Sequence, residues 1–327
     1  MKTEMLIEFL AVLFCTFGLT ALISHFLIPV LKSKKMGQKI LEIGPRWHKS
    51  KEGTPTMGGI AFIVAIVLTM VVALVIDSRE WKAVVSVMDL ALMNGFIGLI
   101  DDRAKLMKKQ NEGLLAWQKY LLQLVVGGIY LFLLQVFDIG GTALHIPYTD
   151  ITVELGIGYY AVALLVITGM VNSVNLTDGI DGLASTVSLV VGGFFALVAF
   201  GALQRGVTLL SAALIGGTLG FLVYNFHPAR VFMGDTGSLF LGGLVSGMAF
   251  AIGEPLIILV AGLVFVIEAI SVILQVSVFK LSGRKKRLFK MAPIHHHFEK
   301  CGWNEYKIVA IFGIVSALCC ALAFLGL

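Results

Sequence analysis

Apolar stretches of membrane-spanning length recur along almost the whole chain, near 9–31, 58–76, 83–100, 115–137, 155–171, 183–200, 207–226, 236–252, 255–279 and 306–327. A helix needs about 20 apolar residues to cross a hydrocarbon core roughly 30 Å thick, and these runs have that length. They are too long for barrel strands, so their backbone amides must be satisfied within helices, because lipid offers them no partner. The pattern predicts an all-α polytopic membrane protein with ten transmembrane helices and a single domain over residues 1–327. The eighth run is the weakest: Gly234, Asp235, Thr236, Gly237 and Ser238 crowd its start and predict a broken or half-buried entry. The first run is too long for a signal-peptide core and ends in lysines without a small-residue cleavage pattern, so it reads as a span.

Composition strengthens this picture. Hydrophobic residues make up 58% of the chain and charged ones 14%, against about 25% charged in an ordinary soluble domain, which excludes a soluble enzyme. The net charge of +5 points to anionic partners, and its placement selects lipid over nucleic acid. With the N-terminus outside, 21 of the 25 Lys and Arg residues fall in the loops after the odd-numbered spans. The positive-inside rule then puts both termini on the extracytoplasmic side and the basic loops against anionic cytoplasmic headgroups. Cys15, Cys301, Cys319 and Cys320 show no paired spacing and read as core fillers.

Polar residues at the span ends carry the chemistry. Asp101 and Asp102 end the third span, Asp178 and Asp181 lie between the fifth and sixth, and Asp235 opens the eighth, which places all five on the cytoplasmic face. Isolated helix-end carboxylates are often plain caps, but five with few basic neighbours in sequence repel one another unless a cation compensates. Such an oxygen-rich cluster suits Mg²⁺, which typically holds one or two carboxylates together with substrate phosphates. The stretch from Asn172 to Ala184 holds Asn175, Asp178, Gly179, Asp181 and Gly182. Helical spacing puts Asn175, Asp178 and Asp181 on one face, whereas a glycine after each aspartate favours a turn where backbone amides approach a ligand.

Three further blocks adjoin these acids. Tyr224 to Ser238 contains Asn225, His227, Arg230 and Phe232, with glycines and hydroxyls that can offer helix-start amides to an anion. From composition, Phe232 reads equally as a base-stacking ring or an interfacial anchor. The loop before the last span carries Arg284 to Arg287, a headgroup-facing patch, and then His295, His296 and His297. Consecutive helical side chains diverge by about 100°, so the three histidines do not share one metal; one or two reaching a phosphate is the better reading. The first basic loop runs through His48, Lys49, Ser50 and Lys51 into Thr54-Pro-Thr-Met-Gly-Gly59. Lys51 and Lys119 each read as a phosphate-directed charge or as a snorkelling anchor.

Taken in order, these blocks resemble the MraY, or phospho-N-acetylmuramoyl-pentapeptide-transferase, family, a branch of the polyprenyl-phosphate N-acetylhexosamine-1-phosphate transferases. The Asp101–Asp102 pair and the Asn/Asp/Gly stretch are superfamily features, while Thr54 to Gly59 and Ala292-Pro-Ile-His-His-His-Phe-Glu299 point to the muramoyl branch. The resemblance implies a ten-helix protein of the bacterial cytoplasmic membrane, acting on UDP-N-acetylmuramoyl-pentapeptide and undecaprenyl phosphate to give lipid I and UMP, with a homodimer as the expected assembly. It implies Mg²⁺ on Asp235, with Asp101 and Asp102 near the lipid phosphate as base and positioning groups and Lys119 beside them. It further implies Phe232 stacking on uracil, Lys51, Asn175, Asp178, Asp181 and Asn225 lining the nucleoside pocket, and His295 and His296 on the phosphosugar side. Direct attack of the lipid phosphate is the expected route, with a phosphorylated aspartate as the rival.

Two other readings stay open. Transfer of N-acetylglucosamine-1-phosphate would keep the superfamily and change the branch. A secondary transporter places ionisable residues inside spans, and Asp89 and Glu268 do lie within apolar segments.

Overall fold

A computed structural model gives the structure of residues 2–34, 51, 53–108 and 113–327. His48, Lys49 and Ser50, with most of the first basic loop, lie outside the described residues.

The chain is mainly helical, and nine of the described helices are long and apolar enough to cross a membrane. These are α1 (Lys2–Ser33), α2 (Gly59–Ile76), α3 (Trp81–Lys108), α4 (Ala116–Val136), α5 (Gly158–Thr177), α6 (Leu183–Gly201), α7 (Arg205–Asn225), α10 (Leu263–Leu281) and α12 (Glu305–Leu325). The expected eighth span is α8 (Gly234–Ala251), an 18-residue helix that is not among these nine. Its position explains its composition. Every residue from Thr236 to Phe250 is buried, so α8 meets protein on all sides and small residues serve it better than large apolar ones. Gly242 lies against the backbone of Val171 in α5, and Gly243 against Leu90 and Ala91 in α3.

Many hydroxyls within the spans bond back to their own helices, which satisfies them where no water is at hand. Thr69 donates to the Ala65 carbonyl at 2.8 Å, Thr168 to Leu164 at 2.7 Å and Ser246 to Gly242 at 2.7 Å. The buried Tyr130 hydroxyl reaches from α4 to the Gly247 carbonyl of α8 at 2.9 Å.

Two features depart from the hydrophobic pattern. The ninth apolar run is broken: a 3₁₀ turn (Pro255–Ile257) and the short α9 (Ile258–Ala261) precede α10, and the interruption falls at Gly262. A side chain at 262 would press on the Ile258 carbonyl and the Met170 thioether, so the break leaves no room for one. Between α4 and α5 a short antiparallel hairpin pairs β1 (Ala143–His145) with β2 (Thr152–Glu154). His145 ties it to Glu254 at 3.0 Å, beside the start of the 3₁₀ turn.

Contacts sort the helix ends into two groups. At one end, α1, α2 and α7 meet where Arg205 donates to Glu8 at 2.7 Å and to the Asp77 carbonyl at 3.2 Å. At the other, the C-terminal ends of α3, α5 and α7 gather with the starts of α4, α8 and α12. The short α11 (Ile294–Lys300) lies in this second group, through contacts with α10 and α12.

Candidate active site

The second group of helix ends brings the predicted acids into two neighbouring clusters. The first is built on Asp235, at the start of α8. Its Oδ2 accepts from Lys119 of α4 at 2.7 Å and from Lys105 of α3 at 3.0 Å, and its Oδ1 accepts from Asn175 of α5 at 3.0 Å. Lys105 also reaches Asp101 one helical turn earlier at 2.7 Å, so one ammonium bridges two carboxylates. Asp101 accepts in addition from the Leu114 main-chain N–H at 2.6 Å, which sets the chain re-entering at α4.

Asp102 has a different duty. It accepts from the main-chain N–H groups of Asp235 at 3.1 Å and Thr236 at 2.9 Å, and from the Thr236 hydroxyl at 2.7 Å. The helix-start amides that the sequence offered to an anion are thus taken by a carboxylate of α3, which satisfies orphan donors and favours the positive end of the helix dipole. Gly234 makes the approach feasible: its φ is +70°, and a side chain there would strike the Asp102 carboxylate.

The second cluster is centred on Lys51, which lies 2.7 Å from both Asp181 and Glu305. The second oxygen of Asp181 faces His227 Nδ1 at 2.9 Å and accepts from the Ala229 N–H at 2.9 Å, while Glu305 accepts from the Asp181 main-chain N–H at 3.0 Å. A cleft of about 580 Å³ opens here, lined among others by Lys51, Asp181, His227, Trp303 and Glu305. Asp181, His227 and Glu305 are close enough together to ligate one ion. The Lys51 ammonium already supplies the positive charge among the two acids.

The remaining predicted residues fall around these clusters. Asn175, grouped by spacing with Asp178 and Asp181, joins the Asp235 cluster and also donates to Ser238 at 2.8 Å. Helix α5 ends at Thr177, so Asp178 and Asp181 lie on the turn that the glycines favour. Asn225 is buried, where its amide donates to the Val231 carbonyl at 3.0 Å and its oxygen accepts from Ser185 at 3.3 Å. Phe232 is half-buried, its main chain clamped between the Pro55 carbonyl and the Gly58 N–H at 2.8 Å each. His296 pairs with Glu299 at 2.5 Å, beside the cleft. His295 is fully buried with its Nδ1 3.0 Å from Glu268, which places one of the two intramembrane acids in a carboxylate–imidazole pair at a helix interface. The other is Asp89, and each of the two acids keeps one buried oxygen without a hydrogen-bond partner among the described residues.

Sequence reasoning missed Lys105 and Glu305 and gave His227 and Glu268 no role at the site. Lys105 had a visible signal, because it follows Asp101 by one turn. Glu305 had none, since Asp181 lies 124 residues away along the chain; His227 and Glu268 stand out in the sequence, but their partners, 46 and 27 residues away, do not.

Asp178 lies on the turn between the clusters. Burial, reinforced by the charges of Asp235, Asp102 and Asp181, pushes its carboxyl well above the usual carboxylate range. The folded chain therefore keeps a proton that the unfolded chain releases near 3.8, and the associated stability is lost as pH rises through the raised value. Asp178→Asn removes this titration. In metal-free buffer its thermal midpoint should match the wild type's at low pH and overtake it toward neutral; a constant offset across that range would contradict the strain.

This geometry joins a cluster of lysines and carboxylates to a polytopic helical scaffold. Residues 83–253 match the model of Glycosyl transferase family 4, which covers both members of the Asp101–Asp102 pair and all of α8. Residues 51–63 match signature 1 of phospho-N-acetylmuramoyl-pentapeptide-transferase, the segment beginning at Lys51. The chain is similar over 312 residues to the enzyme of that name from Clostridium perfringens (strain SM101 / Type A), at 42% identity over 95% of this chain and 94% of the other. Identity is 45% over 301 residues to that of Clostridium novyi (strain NT), covering 92% and 91% of the two chains. It is 40% over 304 residues to that of Staphylococcus carnosus (strain TM300), covering 92% and 94%. The chain belongs to the phospho-N-acetylmuramoyl-pentapeptide-transferase family.

Proposed function

We propose that this chain transfers phospho-N-acetylmuramoyl-pentapeptide from its UDP conjugate to undecaprenyl phosphate, releasing UMP and forming lipid I. The observation that carries this reading is the Asp235 cluster, in which two lysines and three aspartates meet at the ends of apolar helices. A soluble diphosphate and a lipid phosphate can meet only at such an interface, and only if positive charge offsets their repulsion.

The orientation follows from the same logic. The clusters lie on the side that receives 21 of the 25 basic residues, so they face the cytoplasm, with α8 as a tenth span, both termini outside and the protein in the bacterial cytoplasmic membrane. A homodimer belongs to this reading through the family resemblance.

Asp235, with Asp101 and Asp178 near it, offers the hard oxygen donors that Mg²⁺ prefers. The charges of Asp235, Asp102 and Asp181 bear on Asp178, and a cation among them would relieve that repulsion. Bound there through Asp235, Mg²⁺ would neutralise the diphosphate and favour departure of UMP.

The protein's own groups do the rest. Lys105 and Lys119 supply point charges that draw both phosphates to one place. Asp102 locks the start of α8, which holds Asp235 in register. The lipid phosphate is already ionised, so its oxygen attacks the β-phosphorus directly; the bond from that phosphorus to the bridging oxygen breaks, and UMP leaves with the oxygen. The hydrogen bonds that occupy Asp101 and Asp102 favour this route over a phosphorylated aspartate.

Lys51, Asp181 and Asn225 frame the nucleoside side, and Phe232 offers its ring to uracil. Phe232→Ala should weaken UMP binding by about tenfold or more, since stacking on a base is worth roughly 1–3 kcal/mol, with a smaller effect on turnover at saturating donor. Equal affinity by calorimetry would remove Phe232 from the pocket. The reading as a whole is tested by UMP release from detergent-purified protein with undecaprenyl phosphate. Release with the muramoyl donor alone supports it; release with UDP-N-acetylglucosamine alone would change the branch.

A further inference from the structure

We infer that Glu268 is a positioning residue of this site, acting through His295 on the turn that carries Asp178 and Asp181. The inference rests on the transferase reading for its kinetic consequence, and its geometry stands apart from that reading.

Glu268 lies in the apolar run of α10 and is fully buried, as is His295 of α11. A carboxylate in such a place is costly unless paired. Its Oε2 meets His295 Nδ1 at 3.0 Å and faces the His295 main-chain N–H at 3.5 Å. Oε2 is the acceptor of the main-chain N–H, so toward the same oxygen Nδ1 is the donor and carries the proton, and this one acceptor fixes both the tautomer and the ring plane. Carboxylate–imidazole pairs serve the same end where a histidine must hold one orientation.

The other ring nitrogen points at the site's turn. Nε2 is buried with no hydrogen-bond partner among the described residues. It lies against Gly179, where an added Cβ would collide with Nε2 and crowd Cε1 at 2.6 Å. Gly179 has no left-handed φ to explain it; positive φ occurs at Gly182 instead. The glycine at 179 therefore serves the imidazole face, and the close approach that the sequence assigned to a ligand is made by His295.

The consequence runs in both directions from Gly179. On one side Asp178 feels Asp235 and Asp102; on the other Asp181 holds Lys51 and the Ala229 N–H. A ring that tilts or withdraws lets this turn shift, and both clusters lose register together. Full burial keeps His295 off the cleft, so its contribution is to place the acids rather than to touch substrate.

Three single variants of the full-length protein test this: Glu268→Leu, which removes the acceptor; Glu268→Gln, whose amide carbonyl still accepts from Nδ1; and Gly179→Ala, which displaces the ring from the other side. Glu268→Leu and Gly179→Ala should each weaken UMP affinity and slow UMP release by about tenfold or more, the scale of one lost buried hydrogen bond. Both should speed amide exchange across 178–182. Glu268→Gln should stay within about threefold of wild type. The Glu268→Leu/Gly179→Ala double variant should be no worse than the worse single, because both act through one ring. Wild-type affinity and exchange in folded Glu268→Leu, or losses that multiply in the double variant, would overturn the inference. A wild type that binds UMP yet transfers nothing would defeat the transferase reading while leaving the exchange and affinity comparison intact.

Discussion

Asp235→Asn should reduce transfer by roughly a thousandfold, the scale of losing several kcal/mol of charge stabilisation at a metal-assisted phosphoryl site. The argument begins with what surrounds the carboxylate. Lys105 and Lys119 both point at Oδ2, and Asn175 donates to Oδ1. The amide keeps the size of the side chain and loses the charge that holds two ammonium groups and the proposed Mg²⁺. One of its atoms becomes a donor facing other donors, so the cluster both repels itself and loses its hardest oxygen. The fold should survive, because the α8 start is held by Asp102 through main-chain amides that the substitution leaves in place. The measurement is the initial rate of UMP release across a Mg²⁺ titration, with thermal unfolding as the control for folding. A rate within about tenfold of wild type at any Mg²⁺ concentration would remove Asp235 from the centre of the mechanism.

Lys51→Met should have the second-largest effect, and on stability as well as activity. Lys51 lies 2.7 Å from both Asp181 and Glu305, whose side chains are 1% and 8% exposed. Without the ammonium two buried carboxylates face each other, and breaking a buried ion pair by removing one partner costs about 3–5 kcal/mol. The thermal midpoint should fall and UMP binding should be lost. Adding Glu305→Gln to Lys51→Met removes half of the stranded charge and should recover much of the midpoint without restoring UMP affinity. Recovery of both would make Lys51 a purely structural residue. An unchanged midpoint in Lys51→Met would show that the three-way contact carries no stability.

Much of this architecture is legible in the amino-acid sequence, for a reason specific to lipid. A span must be long and apolar whatever it packs against, so runs such as 58–76 and 183–200 translate almost residue for residue into α2 and α6. Where packing against protein decides, the pattern is a weaker guide. Helix α8 is poor in large apolar residues because its neighbours are helices, and the space that a side chain at 262 would need is taken in part by Met170, far earlier in the chain. The hairpin at 143–154 is too short to show a period of two.

The candidate site divides in the same way. Aspartates at span ends stand out because a charge beside hydrocarbon needs a reason. Their division into an Asp235 cluster and a Lys51 cluster does not, since spacing groups Asn175 with Asp178 and Asp181 whereas the end of α5 at Thr177 separates them. Gly179 is the clearest case. Its identity signals a close approach, and only the tertiary structure shows that the approaching group is the His295 ring.

The most direct test of the transfer itself uses a donor labelled with ³²P at the β-phosphate, quenched within a single turnover on purified protein with undecaprenyl phosphate and Mg²⁺. The account predicts label in the organic-extractable lipid, one lipid product for each UMP released, and none precipitating with the protein. Label left on inorganic phosphate, or UMP formed at the same rate without the lipid phosphate, would contradict it.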